Sequence, residues 1–389
     1  MSFIFAERMN KLGSETAFEM LAKAKALEAQ GRDIIHLEIG EPDFPTPSNV
    51  IEKGMKAMLA GMTKYTPSPG ISEARQVIAE YIGRTRGYDV DPDEVVMTAG
   101  GKPIMFYSIL AVVNPGDEVI YPNPGFPIYE SVIKFSGGIP VPIPLREENQ
   151  FRLDIEELKS LITNKTKMII INSPQNPTGG MLTKEDLEEM AGILADRDIV
   201  ILSDEIYENV VYENKSSSIS SFPGMKGKTI ILNGFSKTYA MTGWRAGYGV
   251  MPKEIAQHIT KLVVNSTSCL AGFTQMACIE ALTGPQEEVK KRVEQFRIRR
   301  DEIVDGLNSI PGLKCLKPQG AFYVFPNIRE FGKSSGEMAD YLLQEAGVAT
   351  LGGNAFGRYG EGYLRISYAN SLKNIEEAVV RIGDALKKL

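Results

Sequence analysis

A lysine among small residues is the first feature of this sequence that could do chemistry. Lys237 lies in the segment Asn233–Thr238, which follows an apolar run, and Arg245 comes eight residues later. Small neighbours let a bound molecule approach the lysine closely, and removal of water would lower the pKa of its amine. The forked guanidinium of Arg245 suits a phosphate group. A single lysine is more often an ordinary surface residue, but the cluster favours a chemical role.

A carboxylate and an amide follow two other apolar runs. Asp204 comes directly after such a run, and the carboxyl end of a parallel strand is where sheets of this kind bind ligands. Asn176 lies in the loop Ser173–Gly180, whose two prolines and two glycines restrict the backbone and can hold the amide in one orientation. Simpler interpretations exist for both, because Asp204 could cap the next helix and the loop could be a plain turn.

A glycine-rich segment, Thr98–Lys102, runs from a predicted strand into a predicted helix. Backbone N–H groups at such a helix start can hold a phosphate. Turns of this kind are frequent, so the segment is weak by itself. It is neither a P-loop nor the GxGxxG pattern of dinucleotide-binding folds, which disfavours a nicotinamide dehydrogenase.

The elements that must position these residues alternate along the chain. Apolar runs of strand length occupy 94–99, 117–122, 167–172, 198–205, 227–233 and 245–250, with helix-period segments at 102–113, 183–196 and 252–264. This alternation predicts an α/β fold with a mostly parallel sheet flanked by helices. A long charged helix is predicted at 285–307. Beyond it, shorter runs at 313–318, 321–326, 348–353 and 363–368, with helices at 336–346 and 373–388, predict a smaller sheet. We therefore predict a large domain over residues 46–300, and an N-terminal arm (1–45) with a small α+β domain (301–389).

The composition and charge of the chain argue against several classes of binding partner. The 389 residues carry a net charge of -6, which argues against nucleic acid or an acidic membrane as the main partner. No run approaches the ~18 apolar residues that span a bilayer, and Glu7 and Arg8 argue against a signal peptide. The three cysteines show no metal spacing, so we expect reduced thiols, no metal site and a cytoplasmic location.

These segments, in this order, resemble the class I/II aminotransferases, the aspartate aminotransferase family of fold type I pyridoxal-phosphate enzymes. The likeness extends from Gly40–Phe44 to Arg365–Ala369, and SPQNPTG, SDEIY and SKTYAMTGWRAGY are specific in combination. It implies that Lys237 holds pyridoxal 5'-phosphate as a Schiff base and that Asp204 pairs with the pyridine nitrogen. Tyr207 and Asn176 would bind the phenolate oxygen of the ring.

The resemblance assigns the remaining ligands as well. Phe126 would stack on the ring and border the substrate. The phosphate would be held by Gly100, Gly101, Lys102, Ser236 and Arg245. Tyr65 matches a tyrosine that reaches the phosphate in the neighbouring subunit, which implies a homodimer with shared active sites. The α-carboxylate of the substrate would be bound by Gly40, Asn176 and Arg365.

The implied reaction is transamination between an L-amino acid and a 2-oxo acid, with 2-oxoglutarate as the expected acceptor, by a ping-pong mechanism. Freed from the cofactor, Lys237 would carry the proton of the substrate Cα. Ser14, Thr16 and Lys102 match positions that hold the distal carboxylate in one branch of aspartate aminotransferases. Aspartate is therefore the expected donor.

Other functions stay open at this stage. Phe126, Ile104 and Phe273 would also tolerate an aromatic donor, and the same cofactor site could serve a lyase, because fold does not determine the reaction. A ligand-sensing regulator would need an added DNA-binding domain, and about 39 residues precede Gly40.

Overall fold

The protein is described by a computed structural model over residues 4–389. Its strands are, in chain order, β1 (Ile35–His36), β2 (Val95–Thr98), β3 (Glu118–Asn123), β4 (Ile139–Pro144), β5 (Thr166–Asn172), β6 (Val200–Asp204), β7 (Thr229–Gly234), β8 (Gly247–Val250), β9 (Tyr323–Val324), β10 (Val348–Ala349), β11 (Leu351–Gly352) and β12 (Leu364–Ser367).

Seven of these strands form one large sheet in the order β2-β8-β7-β6-β5-β3-β4. Neighbouring strands are parallel, except that β8 is antiparallel to both β2 and β7. Val, Ile and Leu side chains of the central strands are buried on both faces, as expected for strands covered by helices. The mostly parallel sheet and its six predicted strands are therefore confirmed.

One strand of the large sheet, β4, is not predicted from the sequence. β4 has the sequence IPVPIP, and proline lacks the N–H group that a central strand needs. The structure places β4 at the edge of the sheet, where it pairs with β3. An edge strand needs hydrogen bonds on one side only, which explains how three prolines are tolerated.

Helices cover the sheet and continue to the C-terminus. They are α1 (Thr16–Glu28), α2 (Ser48–Leu59), α3 (Ser72–Arg86), α4 (Lys102–Val112), α5 (Ile128–Ser136), α6 (Ile155–Leu161), α7 (Lys184–Leu194), α8 (Lys253–Val264), α9 (Gly272–Thr283), α10 (Glu287–Asn308), α11 (Ser335–Tyr341) and α12 (Leu372–Leu386). The predicted start of α7 is confirmed: the Thr183 hydroxyl accepts from the Asp186 N–H at 3.1 Å, and the Asp186 carboxylate accepts from the Thr183 N–H at 2.9 Å. Such caps stabilise a helix by about 1 kcal/mol.

Short strands form two smaller sheets. β1 pairs in parallel with β10, and β12 lies between β11 and β9 in an antiparallel sheet. The prediction of a strand at 313–318 is wrong. The side chain of Asn308 bonds both the N–H (2.8 Å) and the C=O (2.9 Å) of Cys315, so these groups are not available to a ladder, and a single bridge at Lys314 remains. The division into two domains stays a prediction; α10 runs through residue 300.

Several polar residues lie at one edge of the large sheet, where its parallel strands end. β5 ends at Asn172 and β6 at Asp204, which are paired neighbours in the register, and β7 ends at Gly234, three residues before Lys237. Carboxyl ends of parallel strands meet at the same edge, where such folds bind ligands. Across residues 4–389, no helix is long and apolar enough to cross a membrane.

Candidate active site

A cavity of about 500 Å³ opens at this edge of the large sheet, a size typical of sites for small molecules. Its walls come from the N-terminal arm, the strand ends and β12. The residues that line it are Glu15, Ala17, Phe18, Ile39, Gly40, Glu41, Gly101, Lys102, Met105, Phe126, Tyr129, Asn172, Asn176, Asp204, Ile206, Tyr207, Leu232, Ser236, Lys237, Thr242, Arg245, Tyr323 and Arg365.

Lys237 presents its amine to the cavity. Its Nζ donates to the backbone oxygen of Gly40 at 2.6 Å and lies 6.0 Å from the ring centroid of Tyr207. Burial, followed by the positive charge of Arg365, lowers the pKa of Lys237 to about 8. The amine therefore loses its proton more readily than an exposed lysine, as a nucleophile or proton acceptor requires.

Asp204 is a buried carboxylate at the end of β6. Its Oδ2 accepts from the hydroxyl of Tyr129 at 2.6 Å, and its Oδ1 accepts from the N–H of Ile206 at 3.3 Å. Burial raises the pKa of Asp204 to about 6, although the hydrogen bond from Tyr129 acts in the opposite direction. A cationic N–H group placed beside this carboxylate would stabilise its charged form.

Arg365 is a buried cation on β12. Its Nη1 donates to Asn176 Oδ1 at 3.2 Å, and its Nη2 donates to the backbone oxygen of Glu38. The guanidinium lies 4.6 Å from the ring centroid of Tyr323. Its buried Nε has no hydrogen-bond partner among residues 4–389, and burial lowers the pKa of Arg365. A desolvated guanidinium with a free donor suits a carboxylate ligand.

Asn172 and Tyr323 position this region. Asn172 accepts from the Asn176 N–H at 3.0 Å and donates to the backbone oxygen of Asp204 at 3.0 Å, so it links the two strand ends. Tyr323 shares a 2.8 Å hydrogen bond with the hydroxyl of Tyr207. A Cβ added to Gly40 would lie 2.1 Å from the Tyr323 hydroxyl, so only glycine fits there.

The N-terminus of α4 and Arg245 form a seat for an anion. Gly100 has a φ of +92°, and a Cβ there would lie 2.3 Å from Arg245 Nη2. Arg245 Nη1 donates to the backbone oxygen of Thr242 at 2.7 Å, which holds the guanidinium beside the helix start. Free N–H groups and the helix dipole favour a phosphate at this position.

The family model for aminotransferase class I and II matches residues 32–382. The chain belongs to this family. It is a pyridoxal-phosphate-dependent aminotransferase, a transferase that moves amino groups between an amino acid and a 2-oxo acid.

Full-length relatives agree with this assignment. The aminotransferase is 41% identical to the aspartate aminotransferase of Bacillus sp. strain YM-2, over 100% of both chains. It is also 41% identical to aromatic-amino-acid aminotransferase 2 of Thermococcus litoralis, over 92% of this chain and 94% of the relative. The solved aspartate aminotransferase of Rhizobium meliloti superimposes with a TM-score of 0.96 at 36% identity, over 100% of both chains.

The cavity of the aminotransferase fits pyridoxal phosphate. Asp204 is a buried carboxylate whose raised pKa calls for a cation, and a protonated pyridine nitrogen is one. Lys237 has the lowered pKa that a covalent amine anchor needs. The helix start at Gly101, together with Arg245, supplies the phosphate seat. The pyridine nitrogen, the aldehyde and the phosphate of this cofactor would therefore each have a chemically matching partner in the cavity.

Most of the predicted site residues meet in this cavity. Those that line it are Gly40, Gly101, Lys102, Phe126, Asn176, Asp204, Tyr207, Ser236, Lys237, Arg245 and Arg365. Gly100 lies behind Arg245 rather than on the wall. Their individual roles stay predictions.

Three predicted residues lie outside the cavity of this chain. Ser14 is exposed and donates to Glu19 at 3.3 Å, whereas Thr16 is exposed at the start of α1. The direction of the chain at this helix start turns Glu15 towards the cavity instead. Tyr65 is 89% exposed, so within this chain it reaches no part of the site.

Several polar side chains of the site carry no clear signal in the sequence, among them Asn172, Tyr129, Tyr323 and Glu15. Tyr129 is one of several buried residues on α5, and Tyr323 lies in a strand whose sequence indicates only a core. Neither carries a local signal for binding. Glu15, between Ser14 and Thr16, was recognisable as a charged residue in a segment already singled out.

Proposed function

We propose that the residues of this cavity carry out transamination in the roles that the family resemblance implied. When bound, pyridoxal phosphate supplies the electron sink that stabilises the substrate after Cα loses its proton. Asp204 would keep the pyridine nitrogen protonated, and Tyr129 holds the carboxylate in place for this role. Tyr207 and Asn176 would bind the ring oxygen, Phe126 would cover the ring face, and the phosphate would be bound by Gly101, Ser236 and Arg245.

Lys237 and Arg365 would act on the substrate itself. The partly buried amine of Lys237, with its pKa of about 8, can accept the Cα proton and return it to the cofactor carbon. Arg365, with Asn176 and the Gly40 backbone, would bind the α-carboxylate and determine which Cα bond stands perpendicular to the ring. The buried free Nε of Arg365 supports this role.

We further propose that aspartate is an amino donor and 2-oxoglutarate an acceptor. The observation that carries this proposal is the number of cations in the cavity: of the four that line it, Lys237 and Arg245 are assigned to the cofactor, which leaves Arg365 and Lys102 for the substrate. Two cations suit a substrate with two carboxylates. The aspartate aminotransferases of Bacillus and Rhizobium, which match over the full length of the chain, support the same donor.

Lys102→Ala is therefore expected to lower kcat/KM for aspartate by about 10²-fold, because the distal carboxylate loses its charged partner. With alanine as donor and the same acceptor, kcat/KM should change by less than about threefold, since no distal group is bound. A coupled assay on both donors measures this difference. A phenylalanine preference that Lys102→Ala leaves unchanged would overturn the aspartate assignment and leave the aminotransferase activity untouched.

We also propose a homodimer in which Tyr65 reaches the phosphate of the partner's site. Several large apolar side chains are exposed in this part of the chain. Met55, Met58 and Leu59 lie in the last turns of α2, and Tyr65 lies in the segment that follows the helix. An apolar patch of this kind is typical of a protein interface. A second cavity, of about 650 Å³, opens beside Arg245 and leaves room for a residue from outside the chain.

The three free thiols are in keeping with a cytoplasmic location.

Tyr65→Phe should weaken pyridoxal phosphate binding by about tenfold, because a hydrogen bond to a charged phosphate is lost. Fluorescence titration of the apoenzyme measures this affinity, with Tyr359→Phe as a control on another surface. Mixing Tyr65→Phe with Lys237→Ala subunits should restore tight binding at one site of each hybrid, since that site receives an intact Tyr65. A monomer in sedimentation, or hybrids without this recovery, would contradict the proposal.

A further inference from the structure

Glu15 and Lys102 form an ion pair at the wall of the cavity. The carboxylate of Glu15 accepts a hydrogen bond from Lys102 Nζ, and both residues line the cavity that contains Lys237 and Arg365. Glu15 immediately precedes α1, whereas Lys102 begins α4. The pair therefore joins the N-terminal arm to helix α4. It lies at the position where Lys102 is proposed to bind the second carboxylate of the substrate.

Apolar side chains line the same cavity as this ion pair. Phe18, Met105 and Phe126 line the same cavity, and Lys102 Nζ lies 5.4 Å from the ring centroid of Phe126. An aromatic donor side chain in this space would meet hydrocarbon and a cation that Glu15 already neutralises. Without Glu15, the same side chain would face an unpaired ammonium group, which is unfavourable.

We propose that Glu15 takes the place of a substrate's distal carboxylate, so that one site accepts both dicarboxylic and aromatic amino acids. With aspartate, the distal carboxylate replaces Glu15 on Lys102 Nζ, and Glu15 turns towards solvent. With phenylalanine, the ion pair stays and the ring packs against Phe18 and Phe126. Lys102 keeps one carboxylate partner in both cases, so neither substrate leaves its ammonium group unpaired, and water solvates the Glu15 carboxylate when aspartate displaces it. The inference rests on the proposed function of Lys102 as the second cation.

The exchange requires little rearrangement of the protein. The side chain of Lys102 is 49% exposed and that of Glu15 is 19% exposed, and ion pairs that water reaches are weak. The 3₁₀ turn Glu7–Lys11 buries no residue, and the buried residues of α1, Met20 and Ala24, lie beyond its first turn. Glu15 can therefore turn away without disturbing the core.

Glu15→Gln in the holoenzyme tests the proposal. We expect kcat/KM for phenylalanine to fall about tenfold, because Glu15 no longer neutralises Lys102. We expect kcat/KM for aspartate to rise about threefold, because Glu15 no longer competes with the distal carboxylate for Lys102. Titration calorimetry with two unreactive ligands gives a second measurement. Maleate should bind about threefold more tightly, and 3-phenylpropionate about tenfold more weakly. Glu19→Gln is the matched control, since Glu19 is exposed in the first turn of α1, the helix that Glu15 precedes, and does not line the cavity.

The double variant Glu15→Gln, Lys102→Gln separates the charge effect from a structural one. Phenylalanine activity should return to within about threefold of the wild-type value, since no unpaired cation remains. The inference is overturned if Glu15→Gln leaves the ratio of kcat/KM for phenylalanine to kcat/KM for aspartate unchanged. It is also overturned if the double variant keeps the low kcat/KM for phenylalanine. Failure of the proposed donor looks different: the wild-type enzyme itself would be slow with aspartate and indifferent to Lys102→Ala.

Discussion

Lys237→Ala is expected to lower kcat by about 10⁴-fold or more, because the substitution removes both the covalent anchor and the group that moves the Cα proton. The fold should survive, since the side chain is only partly buried and, among residues 4–389, its amine donates one hydrogen bond, to the Gly40 backbone. Circular dichroism and thermal unfolding check the fold, and single-turnover kinetics measure the loss of rate.

Borohydride treatment of the wild-type protein identifies the anchor independently of activity. Reduction should fix pyridoxal phosphate on the peptide that contains Lys237, and the visible absorption band should disappear. Lys291→Ala, an exposed lysine on α10, is the control and should behave as wild type. Mass mapping of the adduct to a different lysine would refute the role of Lys237.

Asp204→Ala is expected to lower kcat by about 10³-fold while cofactor affinity changes by less than about tenfold. The phosphate seat at Gly101 and Arg245 is untouched, so binding persists, whereas the pyridine nitrogen loses its carboxylate partner. The Tyr129 hydroxyl also loses its acceptor, which should reduce the free energy of unfolding by about 1–3 kcal/mol.

Two further variants separate the electronic role of Asp204 from its structural role. Asp204→Asn keeps an oxygen for Tyr129 but removes the charge, and it should be nearly as slow as Asp204→Ala with less loss of stability. Tyr129→Phe keeps the carboxylate and should retain most of the activity. Near-normal turnover in Asp204→Ala would show that the carboxylate does not serve the ring nitrogen.

The sequence by itself determined the fold class and the chemistry of the site. Buried strands of a parallel sheet read as continuous Val, Ile and Leu runs, which is why β5, β6 and β7 were recognisable. Asp204 ends one of these strands, and the turns that follow the other two carry Asn176 and Lys237. Local motifs reveal such residues because the backbone there must adopt particular shapes. β4 was missed because its prolines contradict strand propensity, and only its edge position resolves the conflict.

The tertiary structure alone decided which side chains face each other across the cavity. Tyr129 on Asp204, Tyr323 on Tyr207 and Glu15 on Lys102 join residues 75, 116 and 87 positions apart. No local pattern encodes such pairs, because each depends on how separate elements pack. The pKa values of Lys237 and Asp204 likewise follow from burial, which arises only when the N-terminal arm, the strand ends and β12 enclose the same space.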